Sequence, residues 1–173
     1  IIPTPFGETS SPVFVGELGA QPIAFLPRHG EQHKLAPHLI NYRANLWALK
    51  SLGVDRIVAV NAVGGIHSEM APEHIVDPDQ VIDYTYGRAH TFCVGSESEG
   101  LELLHVDFTF PYDKQLRKVL IAHARRLNIC FTDWGVYGCT QGPRLESAAE
   151  VIKFQRDGCD VIGMTGMPEA ALA

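Results

Sequence analysis

The sequence has no excess of basic residues, no long apolar run and no paired cysteines, and each absence removes a class of function. Fourteen Lys and Arg stand against twenty Asp and Glu, for a formal net charge of −6. Nucleic-acid binding needs a basic face to neutralise phosphates, so it is not expected. No apolar stretch approaches the roughly 20 residues that span a bilayer, and the first residues do not read as a secretory leader. Cys93, Cys130, Cys139 and Cys159 contain no Cys-x-x-Cys pair. That spacing suits reduced thiols better than a disulfide framework or a zinc site. His33, His38, His67, His74 and His123 likewise show no metal-ligand spacing with nearby acids, so no metal is expected. Internal repeats and low-complexity segments are also missing. The expectation is a soluble, cytoplasmic protein.

What is present is enough apolar material for one sizeable core: 173 residues, 46% of them hydrophobic, read as one domain over residues 1–173. Val13 to Leu18 and Pro22 to Leu26 are short strand candidates separated by Gly19-Ala20-Gln21. Leu39 to Leu52 has helical spacing and a stop at Gly53. Val54 to Val60 is an apolar, branched run that reads as a buried strand of a parallel sheet. Ile75-Val76 and Gln80-Val81-Ile82 are further strand pieces, interrupted by Asp77-Pro78-Asp79. Residues 83–110 have no clear period and carry an acidic patch, and a loop this long in a compact domain is usually functional or mobile. Tyr112 to Leu127 is a helix with Asp113 in its first turn. Cys130 to Cys139 reads as a strand, Glu146 to Arg156 as a helix, Asp160 to Met164 as a strand, and Pro168 opens a last helix. This order gives an α/β fold with a central, mostly parallel or mixed sheet flanked by helices.

Four segments carry candidate chemistry. Asn61-Ala62-Val63-Gly64-Gly65-Ile66 follows a strand candidate. It is either a tight glycine turn or a place where backbone N–H groups approach an anion. Pro27-Arg28-His29-Gly30 puts a planar guanidinium fork and an imidazole at a strand end, an arrangement suited to phosphate. Its use is open between clamping free phosphate and phosphorylation of His29. Gly142-Pro143-Arg144-Leu145-Glu146 offers an apolar side chain for a flat ligand and a carboxylate acceptor, or simply a helix-start acid favoured by the macrodipole. Gly163-Met164-Thr165-Gly166-Met167 supplies a hydroxyl donor and a polarizable thioether, or a core methionine and a turn threonine.

Together these segments resemble the trimeric class of purine nucleoside phosphorylases, in its methylthioadenosine and methylthioinosine branch. The likeness runs from about Pro22 to Ala173 and includes Asn41-Tyr42-Arg43-Ala44-Asn45 and Thr140-Gln141-Gly142-Pro143-Arg144-Leu145-Glu146. Arg28-His29-Gly30 also resembles the strand end of the histidine phosphatases, but that likeness covers none of the other segments. A third reading is a nucleoside-binding fragment without catalysis.

The phosphorylase resemblance implies a three-layer sandwich and a role for each matching position. Arg28, His29, Thr165 and the Ala62 N–H hold phosphate. Asn61 and Met164 lie against the ribose. Leu145, Glu146 and Gly163 meet the base, and His105 lies near the 5′ substituent of a neighbouring subunit's site. Glu146 is the position that separates the branches, because adenine-cleaving relatives carry a serine there and 6-oxopurine enzymes a glutamate. The chemistry agrees: a 6-oxopurine N1–H donates to a carboxylate, whereas adenine N1 is an acceptor. The resemblance therefore implies phosphorolysis of 5′-methylthioinosine first, then inosine or guanosine. It implies inorganic phosphate as co-substrate, no cofactor, and a homotrimer or dimer of trimers. It also implies that the domain is partial. The family's N-terminal strand with a glycine-threonine phosphate turn is expected before Ile1. The acid or amide facing purine N7 is expected beyond Ala173, so no catalytic residue is assigned.

Overall fold

The computed structural model describes residues 2–93 and 104–173. The middle of the long aperiodic loop, with its acidic patch, lies outside the described residues. The first elements are β1 (Phe14–Leu18) and β2 (Gln21–Phe25), an antiparallel hairpin in register from Phe14↔Phe25 to Leu18↔Gln21. Gly19, at φ +64°, opens its two-residue loop, where a left-handed residue matches the twist of the strands.

Helix α1 (Tyr42–Ser51) starts where the Asn41 side chain accepts from the Ala44 N–H, and Gly53 at φ +81° follows its end. Asn41 and Asn45 also hold the preceding loop, through Asn41 Nδ2 to the Phe6 carbonyl at 2.7 Å and the Ser10 N–H to Asn45 Oδ1 at 2.8 Å. Strands β3 (Gly64–Gly65), β4 (Ile75–Val76) and β5 (Gln80–Asp83) come next, then α2 (Lys114–Arg126), capped by Asp113. The chain continues through β6 (Phe131–Thr132), β7 (Val136–Cys139), α3 (Ala148–Arg156), β8 (Val161–Gly163) and α4 (Glu169–Leu172).

The four-stranded sheet runs β3-β8-β7-β5. β5, β7 and β8 are parallel, and β3 adds an antiparallel edge. β4 and β6 form a separate parallel pair. The sheet is mixed, as expected, and its apolar residues feed two of the buried clusters. One joins Met70, Tyr137, Cys139, Val161 and Met167, and another joins Phe154, Cys159 and Ile162. A third cluster, Ile40, Tyr42, Leu46 and Leu172, packs α1 against α4.

Three sequence expectations change. Residues 54–60 form no ladder among the described residues, and Val60 is 82% exposed. An apolar, branched run favours extended backbone, but a strand also needs a partner, and none of the described segments supplies one. The strand expected over Cys130–Cys139 is two strands with different partners, parted at Gly135, whose φ of +135° breaks the extended run. The helix expected from Glu146 begins at Ala148. Ser147 caps it, and Glu150, not Glu146, completes the capping box.

Candidate active site

Arg28 is the centre of a polar cluster that gathers three distant segments. Its Nη1 donates to Asn61 Oδ1 and, at 3.0 Å, to Thr165 Oγ1, and its Nη2 donates to the Val60 carbonyl at 3.2 Å. Nε faces Glu169 Oε1 at 3.2 Å. The Thr165 hydroxyl in turn donates to Asn61 Oδ1 at 2.7 Å. Three residues predicted to meet phosphate or ribose, Arg28, Asn61 and Thr165, are therefore in mutual contact. Burial pushes the Glu169 carboxyl above its ordinary range, and Arg28 only partly offsets that. The other oxygen, Oε2, is buried without a hydrogen bond to the described residues.

His29 has contacts of its own. Its Nδ1 meets the Leu35 carbonyl at 2.8 Å and its ring stacks on His33. With Gly30, Lys34 and Ser10 it lines an open depression of about 270 Å³. Ala62 is exposed, next to Asn61. The glycines that follow do not make the left-handed turn their sequence suggests. Gly64 and Gly65 pair with Ile162 and Val161. Gly65 is required by close approach, since a Cβ there would lie 2.0 Å from the Met70 carbonyl oxygen.

The second wall is built from the ends of β7 and β8. The Thr140 N–H donates to the Gly163 carbonyl at 2.8 Å, prolonging the strand pairing by one bond. The Thr140 hydroxyl donates to Glu146 Oε1 at 2.6 Å. Glu146 is thus fixed as an acceptor and linked through Thr140 to Gly163, the residue that precedes Met164 and Thr165. Gly163 is buried because Tyr137 occupies its side-chain space: a Cβ would lie 2.1 Å from the Tyr137 hydroxyl oxygen. That hydroxyl accepts from the Thr165 N–H at 3.4 Å, and burial holds its pKa up at about 12. Met164 lies over Gly142, where a Cβ would come within 2.4 Å of the sulfur. Leu145 stands 80% exposed beside Glu146. His105 is exposed, and no hydrogen bond or ring contact among the described residues joins it to the Arg28 cluster.

Sequence reasoning missed Arg88, Glu169, Thr140 and Tyr137 as organisers of this site. Thr140 stands in a segment that carries the resemblance and Glu169 lies two residues past Met167, whereas Arg88 lies in the aperiodic loop and has no local signal. Its guanidinium is buried, and its Nη1 donates to the Met164 and Met167 carbonyls at 2.8 and 2.6 Å. Among the described residues, no group of His, Cys, Asp and Glu side chains could hold a metal ion.

Comparisons with known proteins show the family. The sequence profile of the phosphorylase superfamily matches residues 3–173. A probable S-methyl-5′-thioinosine phosphorylase of Xylella fastidiosa is 54% identical over 99% of this chain and 71% of its own length. The 6-oxopurine nucleoside phosphorylase of Pyrococcus furiosus is 49% identical, over 99% of this chain and 65% of its own. Among solved structures, the methylthioadenosine phosphorylase of Schistosoma mansoni superposes with a TM-score of 0.94 at 33% identity, covering 99% of this chain and 67% of that one. With a profile match along nearly its whole length, and close relatives in sequence and in fold, the chain belongs to the phosphorylase superfamily.

Proposed function

We propose that this chain cleaves a purine 5′-methylthionucleoside with inorganic phosphate, releasing the free purine and 5-methylthioribose 1-phosphate, and that 5′-methylthioinosine is its preferred substrate. It is a pentosyltransferase of the nucleoside phosphorylase type, in purine salvage. The observation that carries the substrate choice is the Glu146 carboxylate, held by the Thr140 hydroxyl with its charge available to a ring N–H. A 6-oxopurine supplies that N–H, and adenine presents a lone pair instead.

In this reading Arg28, His29, Thr165 and the Ala62 N–H hold the phosphate, and Asn61 and Met164 meet the ribose. Leu145, Glu146 and Gly163 meet the base, and His105 approaches the 5′ substituent of a neighbouring subunit's site in a homotrimer or dimer of trimers. Phosphate attacks C1′ while the glycosidic bond loosens through an oxocarbenium-like transition state. Its negative charge stabilises the developing cation, and prior binding removes the entropic cost of bringing two reactants together. The reaction needs no cofactor, and the enzyme works in the cytoplasm.

A methylthioadenosine reading is favoured by the Schistosoma mansoni structure and by the S-methyl-5′-thioadenosine phosphorylases of Thermofilum pendens and Pyrococcus horikoshii, 43% and 44% identical to this chain, but the serine expected for adenine is not at position 146. The histidine-phosphatase reading rests on Arg28-His29-Gly30 alone, whereas the phosphorylase profile spans residues 3–173. The test is release of hypoxanthine from methylthioinosine with and without phosphate, run beside methylthioadenosine, inosine and guanosine. Phosphate-dependent release, fastest from methylthioinosine, is expected. Equal release without phosphate would remove the phosphorylase reading, and faster cleavage of methylthioadenosine would reverse the base assignment.

A further inference from the structure

Arg88 is a cation buried to 9% exposure, and no acidic side chain forms an ion pair with it among the described residues. Its five N–H groups are matched instead by neutral oxygens. Nη1 reaches the carbonyls of Met164 at 2.8 Å and Met167 at 2.6 Å. Nη2 reaches the carbonyls of Gln141 at 2.9 Å and Thr140 at 3.3 Å, and Nε reaches Gln141 Oε1 at 3.2 Å. The Tyr42 hydroxyl, also 3.3 Å from Nη1, donates onward to the Pro37 carbonyl at 2.9 Å.

These oxygens fall into two groups. β7 and β8 are paired up to Cys139↔Gly163, and the bond from the Thr140 N–H to the Gly163 carbonyl extends the pairing by one step. The Thr140–Gln141 end leads to Glu146. The Met164–Met167 end carries Thr165, which is hydrogen-bonded to Arg28 and Asn61. Where the ladder stops, the carbonyls of both ends would be left wholly or partly out of water without donors. One rigid fork supplies donors to both. Lysine has three N–H groups on a flexible stem and cannot span the same set.

We propose that Arg88 is a positioning residue that couples the base wall at Glu146 to the phosphate wall at Thr165, so that phosphate and nucleoside bind cooperatively. The proposal rests on the phosphorylase reading above. A ligand that orders either wall orders the other through the same guanidinium, which is a coupling free energy and therefore reciprocal. Arg88 touches no substrate in this scheme; it sets the distance between groups that do.

The test uses Arg88→Lys, with Gln141→Ala as a milder partner that removes the Oε1 acceptor of Nε and of the Tyr86 N–H and leaves the four carbonyl contacts of Arg88 in place. Three quantities are compared with wild type: the thermal midpoint, kcat and KM for both substrates, and the ratio of nucleoside affinity with and without phosphate. In Arg88→Lys that ratio is expected to fall to near one, and kcat to fall about 100-fold, the scale of an ångström-sized misplacement in a site. Gln141→Ala is expected to lie between. Partial unfolding alone lowers the apparent kcat but leaves the affinity ratio unchanged. A wild-type ratio of one, or one retained in a folded Arg88→Lys, would overturn the coupling. If Arg88→Lys does not fold, an unchanged ratio in Gln141→Ala would do the same. A wild type that releases no purine with phosphate would overturn the phosphorylase reading itself and this inference with it.

Discussion

Replacing Glu146 with serine is the perturbation that bears most directly on which purine the site accepts. In the structure the carboxylate accepts from the Thr140 hydroxyl through Oε1 at 2.6 Å, and its second oxygen is the proposed acceptor for a 6-oxopurine N1–H. Serine is too short to replace that oxygen, so the N1–H of bound methylthioinosine loses a charged acceptor. A hydrogen bond to a charged group contributes about 1.5–3 kcal/mol, so with tenfold in rate for each 1.36 kcal/mol, kcat/KM for methylthioinosine should fall about 10- to 150-fold. For methylthioadenosine the sign differs. Its N1 lone pair faces a carboxylate in the wild type and a hydroxyl donor in the variant, so its kcat/KM should hold or rise. The quantity to measure is the ratio of the two kcat/KM values at saturating phosphate, read from the two free bases by chromatography. A ratio shifted at least about tenfold towards adenine is expected. Thr140→Val should move it the same way by less, because Glu146 then loses its anchor but keeps its charge. Equal losses on both substrates in Glu146→Ser would refute the base-recognition argument, since a general defect has no reason to choose between bases.

Two further outcomes follow from the Arg28 cluster. Arg28→Lys keeps the charge but loses the fork shared among Asn61, Thr165, Val60 and Glu169. The phosphate KM should rise about 10- to 100-fold with a smaller change in nucleoside KM; equal changes in both would count against phosphate binding at Arg28. Glu169 gives a pH signature, because burial raises its carboxyl above the ordinary value of 4.5. The folded state then holds the proton more tightly than the unfolded state. This stabilisation is complete below 4.5 and is lost as pH rises through the raised folded value. Urea midpoints measured across that window should decline in wild type and stay flatter in Glu169→Gln; parallel curves would show that Glu169 does not titrate there.

The sequence was most readable where the cause of a structure is local. The β1–β2 hairpin, the Asp113 cap of α2 and the glycine after α1 are each set by neighbours a few residues away. Arg28, Asn61 and Thr165 lie 33 to 137 residues apart, and their meeting was legible only through the family resemblance that their short motifs carry. Legibility ended where a partner far along the chain decides. Val54–Val60 has the composition of a strand and no ladder. Gly64 and Gly65 suggested a positive-φ turn, yet what they supply is room for the Met70 backbone and a short pairing with β8. Glu146 and Glu150 look alike as helix-start acids; one completes a cap, while the other turns to Thr140, six residues before it. Arg88 is the extreme case, since its oxygens lie 46 to 79 residues away and no periodicity or spacing points to them.

The bond from His29 Nδ1 to the Leu35 carbonyl has a consequence for the chemistry of the anion. A carbonyl only accepts, so Nδ1 carries the hydrogen and the neutral ring turns a lone pair, at Nε2, to whatever lies beyond. In the phosphate site proposed above, that lone pair repels an unprotonated phosphate oxygen and welcomes a P–O–H. The imidazolium does the reverse. A stable contact therefore contains one proton shared between ring and phosphate, whichever partner brings it.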